Sequence, residues 1–183
     1  MKWFTIAIML LSLLVSGCLI DSDAPVRPRN SLDGQLFTHN GSNFTLEFSS
    51  DWDVMLNYRA NGVTVDVAAV ASRSYDGFSA NVLVLTTRSM NSMAVSDVID
   101  MYKEHLEDDV FGFSNFTSTT YRINRVEIGE FGFTSYQNGY DIQQREIIFS
   151  RGGYDIEIVF TDLEERFDNN FDLDEIKKSL DFF

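Results

Sequence analysis

Phe131 to Thr161 reads FGFTSYQNGYDIQQREIIFSRGGYDIEIVFT, and this stretch decides the fold class. Asn138-Gly139 and Arg151-Gly152-Gly153 divide it into three extended runs, Phe131 to Gln137, Tyr140 to Ser150 and Tyr154 to Thr161. In the last run Tyr154, Ile156, Ile158 and Phe160 recur at every second position, the period of a strand with one apolar face. A two-residue Asn-Gly link demands positive φ at both positions, the geometry of a tight hairpin turn. The three runs therefore predict an antiparallel meander.

Downstream, an acidic turn leads to a helix capped by Asp172, apolar at Leu173, Ile176 and Leu180, with Lys177 and Lys178 near its negative end. Asp181-Phe182-Phe183 then docks the end of the chain onto the core. Upstream, Asn115 to Ile128 is extended, with a slip of phase near Asn124-Arg125 that reads as a bulge, and Gly129-Glu130 reads as a turn. Val95 to Val110 has helical spacing at Val98, Met101, Tyr102, Leu106 and Val110; Ser96 can cap it, and Gly112 closes it. Before a loop at Asn91-Ser92, the run Val82-Leu83-Val84-Leu85 is apolar on both faces and predicts a central strand. Asp76-Gly77 is a hairpin signal, and Gly62 precedes the alternating Val63, Val65 and Val67. Phe44, Leu46 and Phe48, followed after Ser49-Ser50-Asp51 by Trp52, Val54 and Leu56, predict a hairpin or a bent strand pair.

The first residues read as a targeting segment. Lys2 begins a positive n-region, Trp3 to Val15 is an apolar h-region, and small residues precede a cysteine. Leu14-Val15-Ser16-Gly17-Cys18 resembles the lipobox of bacterial and archaeal lipoprotein precursors, which implies lipid on Cys18. A transmembrane anchor needs about twenty apolar residues, more than this run supplies. An ordinary secretory signal cleaved before Cys18 also fits the spacing, but it leaves the chain's single cysteine as a stray thiol. The expected organisation is a signal peptide over 1–17, a lipidated cysteine and flexible tether over 18–42, and one domain over 43–183. Both prolines of the chain, Pro25 and Pro28, fall in the tether, whose root-mean-square span as a coil is roughly 25–30 Å.

With 44% hydrophobic and 14% aromatic residues the chain is too apolar to be disordered, and its length suits one core. A net charge of −14 disfavours binding to phosphate backbones, so no nucleic-acid partner is expected, and it suits a surface domain that stands off the bilayer. If charge steers an encounter, the expected partner is an envelope protein presenting basic residues.

The order of elements is similar to PsbP-like domains. The resemblance lies in an F-x-L-x-F strand at Phe44 to Phe48, a tryptophan at Trp52, one long amphipathic helix, a four-strand meander, and a C-terminal pattern through Phe167, Ile176, Ser179 and Phe182. Family members often carry Tyr-Pro-x-x-Trp near the start, where this chain has Phe48-Ser49-Ser50-Asp51-Trp52. The resemblance implies an α+β fold, an α/β/α sandwich with a central antiparallel sheet, and a non-enzymatic accessory or binding role. No functional residue carries over with it.

The chemistry-bearing residues are sparse. Nucleophilic catalysis needs a base beside the nucleophile, and the two histidines are His39, in the expected tether, and His105, on the solvated side of the helix. Asp168, Asp172 and Asp174 are weak candidates for a hard cation; an EF-hand loop begun at Asp168 would place Leu173 where glycine is required. No cofactor is expected. Asn40, Asn43 and Asn115 head glycosylation sequons. Two function classes remain: a membrane-anchored, non-enzymatic binding or assembly module outside the cytoplasm, and an extracellular hydrolase using carboxylates.

Overall fold

The computed structural model describes residues 30–60, 63–89 and 93–183; the expected signal peptide, Cys18, the expected tether as far as residue 29, Gly62 and the Asn91-Ser92 pair lie outside the described residues. In chain order the elements are β1 (Asn30–Asp33), β2 (Leu36–His39), β3 (Phe44–Glu47), β4 (Trp52–Ala60), β5 (Val63–Ala71), β6 (Asn81–Arg88), α1 (Val95–Asp109), β7 (Ser114–Ile123), β8 (Val126–Gln137), β9 (Tyr140–Arg151), β10 (Tyr154–Leu163), α2 (Glu164–Phe167), α3 (Phe171–Lys178) and β11 (Asp181–Phe182). The strands form a seven-stranded sheet in the order β4-β5-β6-β10-β9-β8-β7 and a four-stranded sheet in the order β1-β2-β3-β11. Every recorded pairing is antiparallel.

The meander exists and has four strands, β7 to β10. One device makes its three turns, two residues with positive φ: Asn124 and Arg125 (47° and 70°), Asn138 and Gly139 (51° and 93°), Gly152 and Gly153 (63° and 80°). The expected bulge at Asn124-Arg125 is therefore a hairpin turn. Gly129-Glu130 is not a turn but lies inside β8. A Cβ on Gly129 would stand 2.5 Å from Val95 Cγ1 and 2.9 Å from Ile148 Cγ1, so this glycine is what lets α1 approach the sheet.

The main core lies between the two sheets. Phe37, Phe44 and Leu46 of the small sheet meet Val82, Val84, Ile147, Phe149, Ile156 and Ile158 of the large one, and Leu173 and Ile176 of α3 close the end. On the opposite face Ile99 and Leu106 of α1, and Val110 just after it, pack onto Phe131, Phe133 and Ile148. Beside it Phe78 covers Val65, Ala68, Leu83, Ile142 and Val159. The central antiparallel sheet is as expected, but the layering is sheet-rich rather than a clear α/β/α sandwich. A second sheet takes most of the place of one helical layer, because Phe37, Phe44 and Phe182 bring strand edges rather than a long helix onto the core.

Four local expectations are corrected. Residues 30–42, read as tether, form the β1–β2 hairpin and the turn after it, anchored by the fully buried Phe37. The rows Phe44-Leu46-Phe48 and Trp52-Val54-Leu56 do not pair with each other: β3 joins β2 and β11, and β4 joins β5. The N-cap of α1 is Ala94, whose side chain makes no capping bond, and Ser96 is inside the helix. The cap of α3 is Asn170, whose Oδ1 accepts from the Leu173 amide at 3.4 Å, with Asp172 in the first turn. The docked terminus is real: β11 pairs with β3, and Phe182 is buried.

Candidate functional site

The meander builds an open cleft where its outer strands meet the C-terminal helices. Register places Thr117 opposite Gly132, Gly132 opposite Arg145, and Thr119 opposite Glu130. Because the middle residue of the first row is glycine, space remains between Thr117 and Arg145: a Cβ there would lie 3.2 Å from Gln144 O and 3.6 Å from Thr117 Oγ1. The cleft, about 280 Å³, is lined by Thr117, Ser118, Thr119, Glu130, Gly132 and Arg145.

Its charges neutralise one another. Glu130 accepts from Lys177 Nζ at 2.6 Å and from the Tyr121 hydroxyl at 3.0 Å, and Arg145 Nε lies 3.5 Å away. Arg145 also reaches Asp168 Oδ1 at 3.4 Å and places its guanidinium 5.1 Å from the centre of the Phe167 ring. Burial, then the Glu130 charge, pushes the Tyr121 hydroxyl pKa up, so it stays a donor. Two cations and two carboxylates in contact leave a polar, nearly neutral recess with hydroxyls on one wall.

A second cluster lies on the opposite face, under α1. Glu146 faces Val159 and Glu157 faces Ile148 across the β9–β10 ladder, so the two glutamates are diagonal neighbours on one surface. The Tyr102 hydroxyl of α1 donates to Glu157 Oε2 at 3.1 Å. Burial raises the pKa of both carboxyls; the Glu157 charge and hydrogen bond raise Glu146 further, whereas bonds from Glu146 and Tyr102 lower Glu157. Glu146 therefore keeps its proton and donates it to Glu157. Glu146 Oε2 and Glu157 Oε1 are shut off from solvent and have no hydrogen-bond partner. Tyr102 is pushed well up, first by burial and then by the charge of Glu157. A polar row from Gln144 through Thr161 to Asn81 continues this buried band. Two carboxyls sharing a proton can do acid–base chemistry, but α1 closes this pair to a polymer.

The residues singled out in the sequence are scattered. Cys18 lies outside the described residues. Asp168 stands at the rim of the cleft on Arg145, Asp172 is in the first turn of α3, and Asp174 lies 3.9 Å from Lys178. Among the described residues no group of three or more His, Cys, Asp or Glu side chains could hold a metal ion. Asn40, Asn43 and Asn115 are exposed, the latter two at φ of 51° and 54°. His39 is not in a tether but buried in β2, where Nδ1 accepts from the Ser42 amide at 3.0 Å and the ring stacks on Phe44. His105 is half-buried, its Nδ1 2.8 Å from the Met101 carbonyl oxygen of its own helix.

No family model and no curated protein matches this chain. Solved structures do. The solution structure of cyanobacterial PsbP, CyanoP from Synechocystis sp. PCC 6803, aligns at TM-score 0.58 and 12% identity over 89% of this chain and 100% of that one. The fold is PsbP-like. LpqN, involved in cell envelope biogenesis of Mycobacterium tuberculosis, aligns at TM-score 0.56 and 11% identity over 75% of this chain and 81% of its own. At such identities what is shared is the PsbP-like fold, and neither alignment assigns a role to Glu130, Arg145 or the acid pair. No helix among the described residues is long and apolar enough to cross a membrane.

Proposed function

We propose that this chain is a non-enzymatic binding or assembly module of a prokaryotic cell envelope, exported, held at the membrane by lipid on Cys18, and acting by contact with another envelope protein. The observation that carries this reading is how the acids are used. A carboxylate hydrolase needs two carboxyl groups about 5–10 Å apart on either side of an accessible bond. At the open cleft the carboxylate of Glu130 is occupied by Lys177, Arg145 and Tyr121, and the pair Glu146–Glu157 is beneath α1. The PsbP-like fold is shared with LpqN, itself involved in cell envelope biogenesis, and Leu14 to Cys18 would keep this chain at the same kind of surface.

The reading is tested by incubating the purified full-length chain with envelope polymers while partners are captured by crosslinking in intact cells. A discrete crosslinked partner with no turnover supports it. Turnover of a polymer, lost in Glu146→Gln or Glu157→Gln, overturns it in favour of the hydrolase.

A further inference from the structure

Open sheet edges invite strand addition, and folded proteins blunt them with short strands, charges, proline or breaks. Two edges here are blunted. β1, at the margin of the small sheet, has four residues. β4, at one margin of the large sheet, is interrupted by Asn57 at φ 51° and carries Asp53 and Arg59. β7, at the other margin, is different: it has ten residues, no proline and a single charge, Arg122, near its end. Its register slips between Ser114 and Thr117, and from Thr117 to Ile123 the ladder to β8 is regular. The main-chain groups that point away from β8 along those seven residues are unpaired within the sheet.

Along β7 and the turn after it the chain's own charge is opposite to that of the molecule. In a chain of net charge −14, the 17 residues from Val110 to Val126 contain no Asp or Glu and hold Arg122 and Arg125. Both arginines are exposed; Arg122 faces Glu127 of β8 across the ladder, but neither arginine forms an ion pair among the described residues. The cleft opens beside the same edge, its wall made by Thr117, Ser118 and Thr119.

From this juxtaposition we infer that β7 is a docking edge for an extended peptide segment of a partner protein, a segment that carries an acidic side chain. The segment adds an eighth strand to the large sheet. Its main chain bonds to β7, a small polar side chain enters the cleft over Thr117 and Thr119, and its acid lies about three residues, or roughly 10 Å, further along beside Arg122 and Arg125. Net charge alone favours a basic partner, but repulsion from the rest of the surface confines an acidic segment to this one edge. The same repulsion opposes pairing of two copies through β7. The inference rests on the docking reading and names the surface that reading leaves open.

The capped heptapeptide Asp-Thr-Val-Thr-Val-Thr-Asp, with an acid at each end, three residues from the central threonine and on the opposite face, so that either strand direction meets the arginines, is the probe. It is compared with the same peptide bearing lysine at both ends, against the full-length chain in detergent, by hydrogen exchange. The aspartate peptide should slow exchange within 117–123, and the lysine peptide should bind about fivefold more weakly or worse, the scale of an exposed charge pair. Arg122→Glu should reverse that order with no change in melting temperature. Protection at β4 instead of β7, no protection at millimolar peptide, or equal binding of both peptides would overturn the inference. So would protection of β7 in concentrated protein without peptide, which would assign the edge to a second copy. Each of these leaves the docking reading standing, whereas carboxylate-dependent polymer turnover removes that reading itself.

Discussion

Gly129 and Gly139 are both in the meander and are needed for opposite reasons. Gly139 sits at φ 93° with nothing within 4 Å of where a Cβ would stand, so Gly139→Val costs backbone strain of about 1–2 kcal/mol. Gly129 has ordinary backbone but no room, because Val95, Ile99 and Ile148 crowd its Cβ position. Gly129→Ala should cost about 1–3 kcal/mol by lifting α1 off β8, seen as a lower urea midpoint together with faster exchange of the α1 amides. For Gly139→Val the α1 amides should be unaffected. The acid pair sets a pH dependence. Burial raises the Glu146 carboxyl, so the folded state keeps a proton that the unfolded chain releases above its ordinary value of 4.5. The stability this group provides is complete below that value and is lost as pH rises towards the folded one; Glu157 is raised too and acts in the same direction. The urea midpoint should therefore fall as pH is raised above the ordinary carboxyl value, and Glu146→Gln should flatten that fall. An equally steep fall in the variant would contradict the assignment of the proton.

α1 is the element that seals the acid pair, and its first turn has a defect. Ala94 occupies the N-cap with extended backbone; its carbonyl accepts from the Asp97 and Val98 amides, but it has no side-chain acceptor for the other first-turn amides. Ala94→Ser should raise stability by about 1 kcal/mol, read as a higher melting temperature, with no change at the cleft. How far elements were legible follows from the strength of their signals. Asn138-Gly139 and Gly152-Gly153 announce their turns because glycine makes positive φ easy. Asn124-Arg125 hides the same turn, since arginine seldom adopts that conformation and the pair reads as a slip of phase. β1 and β2 were hidden because their residues are mostly polar and the strands are short; a single phenylalanine, Phe37, anchors them. The cleft depends on which residues the ladder sets side by side, Thr117 with Gly132 and Arg145, and no local pattern carries that register. Glu146 and Glu157 occupy positions that a strand pattern assigns to solvent, and burial by α1 is visible only once that helix has been placed on the sheet.

At the scale of the whole molecule, a PsbP-like fold carries an open edge on an acidic surface, and the proposed lipid on Cys18 would hold it at a membrane. Cys18→Ser should release the protein from membranes, and intact-mass measurement of the wild-type chain extracted from membranes should show added lipid; the mass of an unmodified polypeptide would remove the anchor from the account. The two margins of the large sheet then distinguish contact at a chosen surface from contact anywhere. Thr119 is exposed on the open edge β7, and Asp53 is exposed on the blunted edge β4. The most direct measurement of the central claim is site-specific photocrosslinking in intact cells from each of these two positions. The account predicts a discrete crosslinked partner from Thr119 and none from Asp53; no crosslink from Thr119, or the same products from both positions, would contradict it.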